Sequence, residues 1–183
     1  MNLEGLQFVN TDNNYNPIDL SNSFLAKKTL PNQVSIQEGF NVELFEVNKN
    51  LAFIKNFGNV AAFKDGTSAL LIDTGMGVSS VQVVSKLKEW GIENVDFIIY
   101  THGHVDHVNG SEYIINAFHN SNTEVIGHKN IVNRFDRYKK TIGYNGIINQ
   151  RQFGLPSPVF PNEFTYPDTC LLYTSDAADE FMG

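Results

Sequence analysis

Three of the chain's five histidines fall within the run Thr101-His102-Gly103-His104-Val105-Asp106-His107, with an aspartate between the last two. Imidazole and carboxylate suit zinc, a borderline-soft cation without strong geometric demands. Side chains that hold a metal must be fixed by a frame and still reach solvent. The flanking sequence supplies such a frame: Asp96 to Tyr100 reads as a buried strand and Ser111 to Phe118 as a helix, which puts the run on a strand-to-helix loop. Side chains two apart on an extended segment point the same way, so His102 and His104 can share one ion. Asp106 and His107 are offset and can turn towards a second, while Gly103 keeps the bend uncrowded. The plain alternative is a chance group of surface or core histidines.

The rest of the chain fits an α/β layered domain. Residues 1–40, rich in Asn, Ser and Pro, are expected to form an extended leader. Short strands are expected over Val42 to Val47, Leu51 to Lys55, Asn59 to Phe63 and Ser68 to Ile72, with Asp65-Gly66 as a hairpin turn. The apolar period then lengthens. Val78, Val81, Val84, Leu87 and Trp90 share a stripe, with Ser79 or Ser80 as cap and Gly91 as stop. Glu124 to Gly127 reads as another strand. Ile131, Val132, Phe135 and Tyr138 indicate a further helix, and there is no internal repeat.

The formal net charge of −7 and the absence of any Lys/Arg cluster beyond Lys139-Lys140 argue against nucleic acid as a partner. No apolar run approaches the roughly 20 residues that span a bilayer. Met1 to Asn14 is polar, without the apolar centre of a signal peptide, so the default expectation is a cytoplasmic protein away from membranes. The single cysteine, Cys170, cannot form an internal disulfide or a thiolate cluster. Nothing in the composition reports the oligomeric state.

The His-Gly-His-Val-Asp-His run resembles the zinc signature of the metallo-β-lactamase superfamily. The resemblance implies an αββα sandwich, of which this chain carries the N-terminal half only. In that family the first two histidines bind one zinc, the aspartate and third histidine bind a second, and a hydroxide between the ions attacks a small-molecule substrate. It therefore implies His102 and His104 as ligands of one Zn2+, and Asp106 and His107 as ligands of another, with Asp106 also orienting the nucleophile. The family's Asp-Thr-Gly at a strand end is matched by Asp73-Thr74-Gly75, which makes Asp73 the buttress of the ligand loop. A plain strand-end role is the alternative for Asp73. The likeness runs from about Gly39 to Pro167.

A narrower likeness lies in Arg134-Phe135-Asp136-Arg137-Tyr138, Gly143-Tyr144-Asn145, Asn149-Gln150-Arg151-Gln152-Phe153 and Tyr166-Pro167-Asp168, which resemble strings of hydrolases related to alkyl sulfatases. That branch implies an anionic ester as substrate. Arg134, Arg137 or Arg151 would then help shape an anion-friendly pocket, the plain reading being that they pair with carboxylates or solvent. A lactone, a thioester of the glyoxalase II type or a β-lactam are alternatives on the same site.

One departure is expected to matter. Each zinc needs a further protein ligand that the family supplies from its second half, and neither His119 nor His128 matches such a position. From Cys170 the sequence Cys-Leu-Leu-Tyr-Thr-Ser-Asp-Ala-Ala-Asp-Glu resembles the translation of a sequencing-adapter read-through, so residues 170–183 read as a non-native tail after a domain part spanning 41–169. A genuine small-residue C-terminal segment is the other reading. A fragment of this kind is expected to bind metal weakly and turn over little.

Overall fold

The computed structural model describes residues 16–28, 41–118, 122–153 and 170–173. Seven strands form one mixed sheet in the order β1-β2-β3-β4-β5-β6-β7. The strands are β1 Glu43–Asn48, β2 Leu51–Lys55, β3 Val60–Asp65, β4 Ser68–Ile72, β5 Asn94–Ile99, β6 Glu124–His128 and β7 Cys170–Tyr173. The first four pair antiparallel, then β4 to β7 run parallel. The helices are α1 Pro17–Leu25, α2 Ser80–Glu89, α3 Val105–Val108, α4 Ser111–Ala117 and α5 Ile131–Phe153. No helix among the described residues is long and apolar enough to cross a membrane.

Alternation along the strands sorts side chains onto two faces. One face carries Ala52, Ile54, Val60, Ala62, Ala69, Leu71, Val95, Ile98 and Val125, all buried. They pack with Val83, Val84 and Leu87 of α2, Ile114 of α4, and Ile131 and Phe135 of α5 in one core. The other face presents Phe53, Ala61, Ile72, Ile99 and Ile126 in register, all half-buried. Beside them Phe63 is 46% and Phe97 38% exposed. The expected α/β layering is therefore present as one sheet with α2, α4 and α5 on a single face. On the other side α1 borders a cavity with Phe45, Val47 and Phe53.

Local chemistry explains the turns. The β3–β4 loop is Gly66-Thr67, one residue later than expected, with Asp65 still paired to Ser68. Gly66 takes φ +61 at the first loop position, where a type II′ hairpin requires glycine. Gly91 at φ +88 stops α2, as its position predicts. The ring of Trp90 at that helix end is fixed from two sides. Its Nε1 donates to Glu46 at 2.5 Å, and Lys64 Nζ lies 4.2 Å from the ring centroid while donating to the Trp90 carbonyl at 2.8 Å.

Three elements depart from the sequence reading. Residues 17–25 of the expected leader form α1, capped by Asn16, whose Oδ1 accepts from Ile18 N at 2.9 Å, with proline at the first turn. Ser79 precedes α2 without a side-chain cap bond, its backbone at φ −105 and ψ 3 lying outside the extended region that capping favours, and its hydroxyl donates to Asn56 Oδ1 and Met76 O. β7 falls at the start of the segment expected to be a tail, where Cys170 to Tyr173 pair with Val125 to His128. Pairing of this kind needs only the unpaired backbone groups of an edge strand.

The two faces predict different mutational costs. Leu71→Ala, in the helix-covered core, is expected to lower unfolding free energy by about 2–5 kcal/mol in urea titration. Phe63→Ser, on the open face, is expected to cost less than about 1 kcal/mol. Equal losses would contradict the assignment of the core to one face.

Candidate metal centre

The histidine run begins where β5 ends and is built in two halves. His104 is extended at φ −73 and ψ 144, and α3 starts immediately after it. Within this single turn Val105 and Val108, three apart, point inward and are 6% and 2% exposed. Asp106 and His107 are thereby turned outward and are half-buried. The expectation of a loop up to Ser111 missed this turn. Its anchoring valines are too short a run to show helical periodicity.

All four donors and Asp73 converge. His102 Nε2 lies 2.8 Å from His104 Nδ1, and the rings of His102 and His107 have centroids 4.1 Å apart. His107 Nε2 lies 3.5 Å from Asp106 Oδ2. Asp73 Oδ1 accepts from the Thr101 backbone N–H at 2.8 Å, and its Oδ2 accepts from Thr101 Oγ1 at 2.6 Å. The same Oδ2 lies 2.7 Å from His107 Nδ1.

These contacts dictate where the imidazole protons sit, because a carboxylate only accepts. His107 must donate from Nδ1, which leaves its Nε2 towards Asp106. The Thr101 hydroxyl proton is committed to Asp73, so its oxygen accepts from His102 Nδ1 at 3.0 Å. The lone pair of His102 then sits on Nε2, the atom facing His104 Nδ1. Burial first, then the nearby Arg134 guanidinium, hold His104 below the usual histidine pKa. Burial also opposes charge on His107, but its hydrogen bond to Asp73 and the charges of Asp73 and Asp106 outweigh it and raise its pKa. His107 Nε2 and Asp106 Oδ2 are thus two lone-pair atoms that a proton or a cation between them would satisfy.

The backbone beneath is interlocked. The Thr74 N–H and Oγ1 both meet the His107 carbonyl, at 2.7 and 3.0 Å. Ser111 Oγ donates to Val108 O at 2.7 Å and accepts from Tyr100 at 2.6 Å. Gly110 N donates to Gly75 O at 3.1 Å, and a Cβ on Gly110 would come within 2.3 Å of Thr74 O. A Cβ on Gly58, at φ +78, would come within 1.8 Å of Asp106 O, so only glycine lets the β2–β3 loop close on the site.

The donor set fits zinc chemically but is not a finished cage. Among the described residues no three His, Cys, Asp or Glu side chains are grouped to hold one ion. The donors come as two pairs, whereas a zinc site normally has four ligands, three or four of them from protein. His128 ends β6 with Nδ1 accepting from Asn130 N at 3.2 Å, and His119 lies outside the described residues.

Residues 54–165, more than half of the 183, match the family described as the Metallo-beta-lactamase superfamily. The chain belongs to that superfamily. Among solved structures, the Rm3 metallo-beta-lactamase is 17% identical at a TM-score of 0.50, over 76% of this chain and 49% of that one. A metallo-beta-lactamase with a HARLDQ motif from Cronobacter sakazakii is 17% identical at a TM-score of 0.46, over 52% and 37% of the two chains. BJP-1, a subclass B3 metallo-beta-lactamase of Bradyrhizobium japonicum, is 22% identical at 0.41, over 48% and 33%. At 17% identity the likeness to the Rm3 enzyme is one of fold alone, and the chain spans between a third and a half of the length of these three proteins. None of the curated proteins compared with it matches significantly. Superfamily membership agrees with the mixed α/β sheet, and the histidine run lies inside the matched residues.

The proton assignment is testable on the metal-free protein. Asp73→Asn presents an amide N–H to groups that now donate to Oδ2, so His107 is expected to move its proton from Nδ1 to Nε2. Imidazole nitrogen chemical shifts read this directly. An unchanged Nδ1–H tautomer in the variant would contradict the clamp. Thr74→Val is expected to cost about 1–2 kcal/mol of unfolding free energy, because a buried hydroxyl bond to the His107 carbonyl is lost.

Proposed function

We propose that the protein is a zinc-dependent hydrolase whose two donor pairs each hold one ion. On this reading His102 and His104 bind the first zinc and Asp106 and His107 the second, with the remaining ligands coming from outside the described residues. The convergence of the four side chains carries the proposal, and superfamily membership supports it. His102 Nε2 and His104 Nδ1 are already neighbours at 2.8 Å. Asp73 keeps the His107 proton on Nδ1, so that Nε2 is free beside Asp106.

Zinc bound in such a site would lower the pKa of its water towards neutrality and polarise the scissile group. The chain's own residues do the positioning. Asp73 orients the His107 ring and fixes the start of the loop through Thr101. Asp106, outward on the first turn of α3, orients the nucleophile. The substrate is proposed to be a small anionic ester of the alkyl-sulfate type, a reading supported by the strings around Arg134 to Tyr138 and Gly143 to Asn145.

His104→Ala, made in a full-length homologue that carries the same run, is expected to lower bound zinc, measured by elemental analysis, and to abolish ester hydrolysis. Hydrolysis at the wild-type rate with less metal would refute the assignment. Asp73→Asn is expected to weaken zinc binding about 10- to 100-fold in chelator competition. A panel of sulfate esters, lactones, thioesters and β-lactams identifies the substrate, and turnover confined to the neutral members would exclude the anionic class.

A further inference from the structure

Asp106 draws little support from its own helix. Val108 N and Asn109 N close the single turn of α3 on His104 O and Val105 O, at 3.2 and 3.1 Å. The next donor in that ladder, Gly110 N, would belong to the Asp106 carbonyl four residues back. It is drawn instead to Gly75 O at 3.1 Å. Thr74 secures the neighbouring His107 carbonyl, so the Asp106 peptide is left to other contacts.

Those contacts come from the β2–β3 loop, residues 56–59. A Cβ on Gly58 would stand 1.8 Å from Asp106 O and 3.3 Å from Asp106 Cβ. The α-hydrogen in that direction therefore points at the carbonyl oxygen, a weak Cα–H···O contact, and the loop walls one side of the root of the Asp106 side chain. Glycine is required here twice, by φ +78 and by the closeness of the contact.

The loop is in turn held against the turn that leads into α2. Asn56 is 4% exposed, its backbone N–H donates to Asn59 Oδ1 at 3.1 Å, and its Oδ1 accepts from Ser79 Oγ at 2.9 Å. Its amide also fills the space beside Gly75, where a Cβ would come within 2.2 Å of Asn56 Nδ2. That Nδ2 is buried without a hydrogen-bond partner among the described residues. A buried amide with an unused donor costs stability that a leucine of similar size would not, so the residue is better explained by what it positions.

We propose that Asn56 and Gly58 are positioning residues for Asp106, setting the direction in which its carboxylate is offered to the second zinc. Ser79 and Gly75 fix Asn56, and the loop it closes sets Gly58 against the carbonyl and Cβ of Asp106. The inference deepens the hydrolase reading and rests on it for the role of Asp106 as a zinc donor, but the pose itself can be measured on the metal-free chain.

The test reads the χ1 rotamer of Asp106 in the full, metal-free chain from its three-bond couplings to Cγ, with circular dichroism to establish that each variant is folded. The wild type is expected to show a single rotamer. Gly58→Ala pushes on Asp106, and Asn56→Leu fills the same space but releases Ser79. Each is expected to shift the couplings away from that rotamer. Ser79 keeps Met76 O as acceptor in the second variant, so the fold is retained, and if Gly58→Ala does not fold Asn56→Leu decides alone. Gly66→Ala is the control, because Gly66 has φ +61 but a Cβ there meets nothing within 4 Å; it adds backbone strain without touching Asp106 and should leave the couplings unchanged. In chelator competition Gly58→Ala and Asn56→Leu are expected to weaken Zn2+ binding about 10-fold, and Gly66→Ala not at all. Averaged couplings in the wild type, or couplings that neither Gly58→Ala nor Asn56→Leu moves, would overturn the inference. A chain that takes up no zinc, yet shifts the Asp106 couplings in these variants alone, would sink the hydrolase reading and leave the positioning role standing.

Discussion

The site depends on one carboxylate. Asp73 follows the last residue of β4 and has φ +61, a conformation that costs an L-residue on the order of 1–2 kcal/mol and that Asp tolerates better than most. The twist turns the carboxylate across to the neighbouring strand's exit, where it meets Thr101 twice and His107 once. Three hydrogen bonds to a buried charged acceptor outweigh the backbone strain. Glycine would relieve the strain and lose the clamp, and most other residues would keep neither.

The clamp acts on side chains, and the backbone beneath it acts on the same residues. Thr74 holds the His107 carbonyl, Gly75 accepts from Gly110, and Tyr100 and Ser111 complete a buried polar set under α3. Polar groups in that location are stabilising only when all are paired, which fixes a single register between the β4 exit and α3. The register in turn decides that Asp106 and His107 face outward while Val105 and Val108 enter the core. Position therefore passes from the sheet to the donors through two independent connections.

Much of this was legible in the sequence. β2 and β4 run over the expected residues because each is a short, nearly continuous apolar run bounded by turn residues, and the histidine run announced its own chemistry. What escaped has physical reasons. The left-handed backbone at Asp73 leaves no trace in composition, since Asp is ordinary at a strand end. α3 is a single turn, too short for a period. α1 carried a readable signal in Asn16-Pro17 followed by Asp19 in the first turn, but it was masked by the polar, proline-containing stretch around it. The helix read from Ile131, Val132, Phe135 and Tyr138 continues past a kink at Thr141 to Phe153, where no periodic signal was read.

The asymmetry of the sheet bears on the chemistry as well as on stability. On the open face Phe53, Ala61, Ile72, Ile99 and Ile126 form one continuous apolar row. Parallel strands such as β4 to β7 are normally covered on both faces, whereas this row is only half-buried. Ile72 is followed directly by Asp73, and Ile99 by the Tyr100-Thr101 step into the histidine run. Whatever packs against the row must therefore reach the rim of the donor cluster, on the side opposite α5. Ile72 and Ile99 thus carry the open face up to the donor cluster, while α5 reaches the cluster from the helix-covered face through the Arg134 stem over Gly103.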